Sequence, residues 1–232
     1  FKQKTAYEIS LGLVGSEMCI RDRTCIVAGV DARFKFAIPV YGCGYLRDNS
    51  VWKASEFGKM SQAQSDKWHK LWDPSSYLAS ARMPVAFLNG TNDFAYPMDS
   101  YAKSCALVRT EKNYSIQLRM PHGHIFDFKE FFPFADQYLK GGLSMPVVSR
   151  PQLKNGKLTA QVQSVTKLVS ARLHYTTSPH EKNKSRAWTT RKLSIEEDRI
   201  KGEGPPEEAT VWYVDVRDER KVLVSSEVML AK

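Results

Sequence analysis

The chain has 232 residues, 42% apolar and 25% charged, an ordinary globular composition that excludes disordered, collagen-like and coiled-coil classes and allows one large domain or a medium domain plus a small one. The formal charge of +9 divides into +1 over residues 1–23, +3 over 24–142 and +5 over 143–232 with opposite signs interleaved, so no single-sign patch follows a phosphate backbone and no nucleic-acid partner is expected. No apolar run approaches the ~18 residues of a membrane span, and the N-terminus lacks the apolar run and small-residue cleavage site of a signal peptide.

In chain order, the first 23 residues stand apart. FKQKTAYEISLGLVGSEMCIRDR resembles translated sequencing-library adapter: KQKTAYE reads in frame as a flow-cell adapter, and VGSEMCIRD reads as the approach to a transposase mosaic end. Ile9, Ser10, Leu11 and part of Gly12 fall where a variable index would sit. The other reading is a native, modestly amphipathic helix. Segments of artificial origin are excluded from fold reasoning. Residues 1–23 are therefore expected to lie outside the fold, with native sequence beginning near Thr24 and the protein upstream of it missing. Cys19 falls in the adapter, which leaves Cys25, Cys43 and Cys105 in apolar contexts without any CxxC or His/Cys spacing. These read as buried structural thiols, and no metal or cofactor is expected.

Residues 24–142 alternate strand-like and helical stretches, the pattern of an α/β layered domain. FKFAIPVYG (34–42) reads as a buried parallel strand, MPVAFLNG (83–90) as a second with Pro84 at its start, and YSIQLRM (114–120) as a third. Between the last two, DSYAKSCALVRT places Tyr101, Ala102, Cys105, Ala106 and Val108 on one helical face. KEFFPFADQYLKGG gives a second helix, with Pro133 in its first turn and Gly141 and Gly142 closing it. Strand, helix, strand, helix implies a parallel sheet with right-handed crossovers.

At Leu143 the texture changes. Residues 143–151, with two prolines and no periodicity, read as a linker, and 152–232 read as an all-β unit. KLTAQVQSV, VSARLHYTT, RAWTTRKLS, ATVWYVDVR and KVLVSSEVML are its strands, RDER is a hairpin loop and KGEGPPEE a solvated one. The spacing suggests a small immunoglobulin-like β-sandwich. His174 and His180 are isolated there and read as structural.

In an open α/β sheet, chemistry sits on loops at the carboxyl ends of strands. The loop after the second strand, TNDFAYP, presents Asp93; the loop after the third, PHGHIF, presents His122 and His124 about 30 positions on. An acid and then a histidine, in that order, form the second half of Ser…Asp…His. The imidazole can take a serine proton only when a carboxylate holds its other nitrogen.

AGVDARFKFAIPVYGCGY, WDPSSYL, MPVAFLNGTNDFAYPMDSY and RMPHGH resemble, in order, the α/β-hydrolase superfamily, in its prolyl oligopeptidase-like and acetyl xylan esterase-like branch. The resemblance covers residues 24–142 and implies the C-terminal half of a hydrolase sheet. The β-rich tail is similar to the domain that follows the hydrolase in some bacterial relatives, including the PhoPQ-activated pathogenicity-related group. In the G-x-x-D position, Asp93 would be the acid, although an Asn-Asp turn residue is the plainer reading. The resemblance favours His124, in GHIF, as the base over His122, in PHG, and the other histidine would line the pocket.

The family places G-x-S-x-G shortly before TCIVAGVD, where this chain carries adapter; Ser16 in VGSEM lacks the glycine pattern and is set aside. Nucleophile and oxyanion hole are then absent, and the chain is expected to be inert. The intact parent is expected to be a serine esterase that removes acetyl or small acyl groups from a carbohydrate. A peptidase acting on peptides, or a non-catalytic carbohydrate-binding or surface protein, are the alternatives. Trp52, Trp68, Trp72 and His69 fall where hydrolases insert a lid, and they either stack on substrate or pack the lid down. Localisation is not legible, and secretion or periplasmic export follows from family alone.

Overall fold

The computed structural model describes residues 13–15, 18–123 and 128–231. Four strands, β1 (Leu13–Gly15), β2 (Ala37–Pro39), β3 (Val85–Asn92) and β4 (Lys112–Pro121), pair side by side and all parallel, in sequence order. Helix α1 (Met18–Val30) joins β1 to β2, so β1 and the first turns of α1 occupy part of the segment expected to lie outside the fold. Parallel strands need such crossovers, and both sheet faces must then be covered. The buried residues of β3, among them Val85, Phe87 and Leu88, meet that demand.

The second strand is shorter than FKFAIPVYG suggests. Only Ala37–Pro39 form it, Val40 adds a single bridge to Leu88, and Tyr41 then turns out of the strand at φ 69°. From there to β3 the chain runs through short helices: α2 (Leu46–Asn49), α3 (Trp52–Ser55), α4 (Gln62–Trp72) and α5 (Ser75–Leu78). Ser61 and Gln64 close a reciprocal capping box at the start of α4, which satisfies two otherwise orphaned N–H groups. Asp73, fully buried, accepts from the amides of Tyr45, Leu46 and Ser75 and from the Ser75 hydroxyl. That gives the DPSSYL stretch a physical role: one carboxylate ties the turn after β2 to the start of α5.

Helices α6 (Met98–Leu107) and α7 (Phe131–Leu139) follow β3 and β4 as the spacing predicts. Phe134 packs edge-on against Phe36 at 5.8 Å. The end of α7 is closed by Lys140 and Gly142, whose amides both donate to the Asp136 carbonyl, with Gly141 at φ 65° between them.

The β-rich segment comprises β5 (Val147–Val148), β6 (Gln152–Lys154), β7 (Lys157–Gln163), β8 (Leu168–Thr176), β9 (Thr189–Glu196), β10 (Arg199–Glu203), β11 (Val211–Asp218), β12 (Leu223–Ser225) and β13 (Met229–Leu230), all paired antiparallel. Strand β5 lies inside the stretch expected to be linker. Residues 201–203, expected in a solvated loop, belong to β10, and KVLVSSEVML breaks into β12 and β13. The two halves share one hydrogen-bonded path. Strand β12 pairs with β4 at Ser225 and Tyr114, and the Ile116 amide donates to the Ser225 hydroxyl at 3.0 Å. The edge of the parallel sheet is thereby covered.

Candidate functional site

Asp93 is the first residue after β3 and is fully buried. Its Oδ1 accepts from the amides of Ala95 at 2.7 Å and Tyr96 at 3.1 Å, an Asx-type turn that fixes the carboxylate relative to its own loop. His122, the first residue after β4, places Nδ1 3.0 Å from both oxygens of that carboxylate. The two loops meet because β3 and β4 are adjacent and parallel, so their carboxyl ends lie side by side. Their register shifts between Gly90 and Asn92, with Arg119 at φ 58° opposite. At that irregularity the Arg119 amide donates to the Thr91 hydroxyl at 2.7 Å. Such bulges re-aim the side chains beyond them.

Gly90, the glycine of G-x-x-D, has its reason here. A β-carbon on it would stand 2.1 Å from the Met120 carbonyl oxygen. The two strands approach too closely for any side chain.

Three aromatic rings surround the imidazole: Phe94 at 5.1 Å, Tyr41 at 5.2 Å and Tyr96 at 5.7 Å between centroids. The His122 side chain retains 9% exposure, so the pair is screened from solvent yet reachable. None of these rings was singled out in the sequence, although Phe94 and Tyr96 sit inside TNDFAYP. His124, favoured as the base, and Ser16, set aside as nucleophile, lie outside the described residues.

The Tyr96 hydroxyl donates to Asp22 at 3.1 Å, and its ring meets Trp52 at 5.6 Å. Beyond Trp52 lies a cavity of about 340 Å³ lined by Leu46, Phe57, Met60 and Trp68, with Asp22 and Glu56. Trp68 packs edge-on against Phe57 at 4.9 Å, Trp72 is largely exposed, and His69 lies 3.5 Å from Asp73. Of the expected lid residues, Trp52 alone has a ring contact with a residue of the Asp93 loop among the described residues.

The three expected thiols are buried, and burial pushes each of them up from the ordinary cysteine range. His174 is far from isolated: fully buried, it bonds Asp215 through Nε2 at 2.8 Å and Thr190 through Nδ1 at 2.9 Å. Arg172 grips the same carboxylate with two parallel bonds. Among the described residues no group of three or more His, Cys, Asp or Glu could hold a metal ion, and no helix is long and apolar enough to cross a membrane.

No protein-family model and no curated protein matches the sequence. Among solved structures, an acetyl xylan esterase from Paenibacillus sp. R4 aligns at TM-score 0.45 and 15% identity over 54% of this chain and 44% of its own. A puromycin-hydrolyzing peptidase of Mycobacterium tuberculosis aligns at TM-score 0.45 and 16% identity, over 56% of this chain and 22% of its own. A family 56 carbohydrate-binding module that binds β-1,3-glucan aligns at TM-score 0.26 and 9% identity, over 38% of this chain and all of its own. The chain thus spans less than half the length of the first two.

Proposed function

We propose that Asp93 and His122 are the acid and base of a serine-hydrolase triad in an α/β-hydrolase scaffold, and that the protein from which the chain comes removes acetyl or other small acyl groups from a carbohydrate. The observation that carries this is the pair itself: a fully buried carboxylate, held by two loop amides, 3.0 Å from Nδ1 of a slightly exposed imidazole. Donation from Nδ1 to Asp93 leaves Nε2 as the basic nitrogen. In the reaction Nε2 takes the proton of the nucleophilic hydroxyl as its oxygen bonds the acyl carbon. The proton then passes to the departing alcohol as the ester C–O bond breaks, and water repeats the sequence to free the acid. The carboxylate stabilises the imidazolium that forms in between.

His122 replaces His124 as the preferred base because Nδ1 of His122 meets the acid. The readings of residues 1–23 as adapter, 143–151 as linker and 152–232 as an immunoglobulin-like sandwich accompany this proposal. The antiparallel pairing of the strands within 152–232 supports the all-β character of the last of these.

The test is made on protein carrying its natural sequence upstream of Thr24 in place of residues 1–23. That protein should cleave a chromogenic acetyl ester, with kcat falling about 10³–10⁴-fold in Asp93→Asn and His122→Ala. The 232-residue chain should be inert. Full activity in His122→Ala refutes the assignment.

A further inference from the structure

Resting on the reading of Asp93 and His122 as acid and base, we infer that the β-rich segment completes that site, with Asn183 as a positioning residue for Asp93. A 3₁₀ turn (His180–Ser185) between β8 and β9 reaches back over the end of β3. There the Asn183 side-chain amide donates to the backbone carbonyl of Asp93. One residue earlier, the Asn92 side-chain amide donates to the carbonyls of Lys184 at 3.0 Å and Arg186 at 3.1 Å. Arg119, across the bulge, donates from Nη2 to the Trp188 carbonyl at 3.0 Å. Four bonds from three residues therefore join the strand ends that carry the pair to residues 183–188.

The loop's own amides fix where the Asp93 carboxylate points relative to residues 95 and 96, but they do not fix the loop relative to β4, on which His122 rides. Asn183 holds the Asp93 backbone at its carbonyl, and it is itself 6% exposed. A donor buried to that degree loses its bond at the full cost of desolvation, so the contact is one the fold maintains. The asparagine lies 90 positions from its acceptor. Its side-chain bond is to the Asp93 backbone, which makes it a positioning residue and leaves it out of the proton path.

The experiment uses the full chain with ¹⁵N-labelled histidine, and a His122→Gln variant assigns the signal. In the unsubstituted chain the His122 Nδ1–H proton should resonate downfield and exchange slowly with water. Asn183→Leu, near-isosteric but without a donor, should leave the chain folded by circular dichroism and speed that exchange about tenfold, the factor expected for loss of one buried hydrogen bond. Thr190→Val, which breaks the His174–Thr190 bond in the same segment, should lower the melting temperature without moving the His122 signal. An unchanged His122 signal in folded Asn183→Leu overturns the inference. Should that variant fail to fold, the Asn183 side-chain amide protons of the unsubstituted chain labelled with ¹⁵N-asparagine decide: slow exchange supports the bond, exchange at the rate of a free amide overturns it. Asp93→Asn separates the two ideas, since a His122 signal indifferent to Asp93 refutes the acid–base pair itself.

Discussion

Gly90 and Met120 meet where the register of β3 and β4 shifts, with no room for a methyl group, because a β-carbon on Gly90 would stand 2.1 Å from the Met120 carbonyl oxygen. The obstruction is backbone and cannot rotate away. Gly90→Ala must push the strand ends apart just before Asp93 and His122. Overpacking of this kind costs about 1–3 kcal/mol. Urea denaturation should show that loss, and the Asp93–His122 contact should loosen in the folded fraction.

The same strands show what could be read in advance. Both are continuous or alternating apolar runs of ordinary length, and the acid and histidine at their ends follow from G-x-x-D and from strand order. What escaped is long-range. Tyr41 approaches His122 across 81 positions only because its positive φ turns it out of β2. Asn183 reaches Asp93 across 90 positions from the turn between β8 and β9, and no local pattern marks either residue. Strand β10 was hidden by Gly202, which breaks the alternation. A β-carbon there would stand 2.6 Å from the Leu193 Cδ2 atom, so Leu193 packs into the space a side chain would take.

Asp73 offers a second test. With its carboxylate removed in Asp73→Ala, the amides of Tyr45, Leu46 and Ser75 lose their acceptor at a fully buried position. Unsatisfied buried donors cost about 1–3 kcal/mol each, partly offset by relaxation and entering water. A loss of about 3 kcal/mol in denaturant titration is expected, with Asp73→Asn intermediate because its amide oxygen still accepts.

Cys25, Cys43 and Cys105 should be silent toward thiol reagents in the folded chain. All three are almost fully buried, and burial raises each thiol, so at pH 8 very little thiolate is present or accessible. Reaction with a disulfide reagent should proceed at the unfolding rate for these positions and at once in guanidinium. Rapid native labelling at any of them, identified by mass spectrometry, contradicts the packing around that position, which for Cys25 is that of α1 against the sheet.

Two buried carboxyls should give the chain opposing pH dependences. Burial acts to raise Asp215, but the bonds from His174 and Arg172 outweigh it and hold the carboxyl below its ordinary value. Ionised when folded at a pH where the unfolded chain binds a proton, Asp215 stabilises the fold above about pH 4, and that stability is lost as pH falls through its lower folded value. Glu130 is raised by burial, against the opposing bond from the Leu223 amide. Its folded form binds a proton more tightly than the unfolded, so its contribution declines as pH rises from about 4. Asp215→Asn should therefore cost about 3–5 kcal/mol at pH 7, the scale of breaking a buried ion pair, and progressively less in acid. Glu130→Gln keeps an acceptor for Leu223 without the buried charge, so it should stabilise at pH 7 and be neutral at pH 3. Denaturant titrations of the two variants from pH 3 to 7 measure both slopes, and parallel slopes would refute the opposite signs.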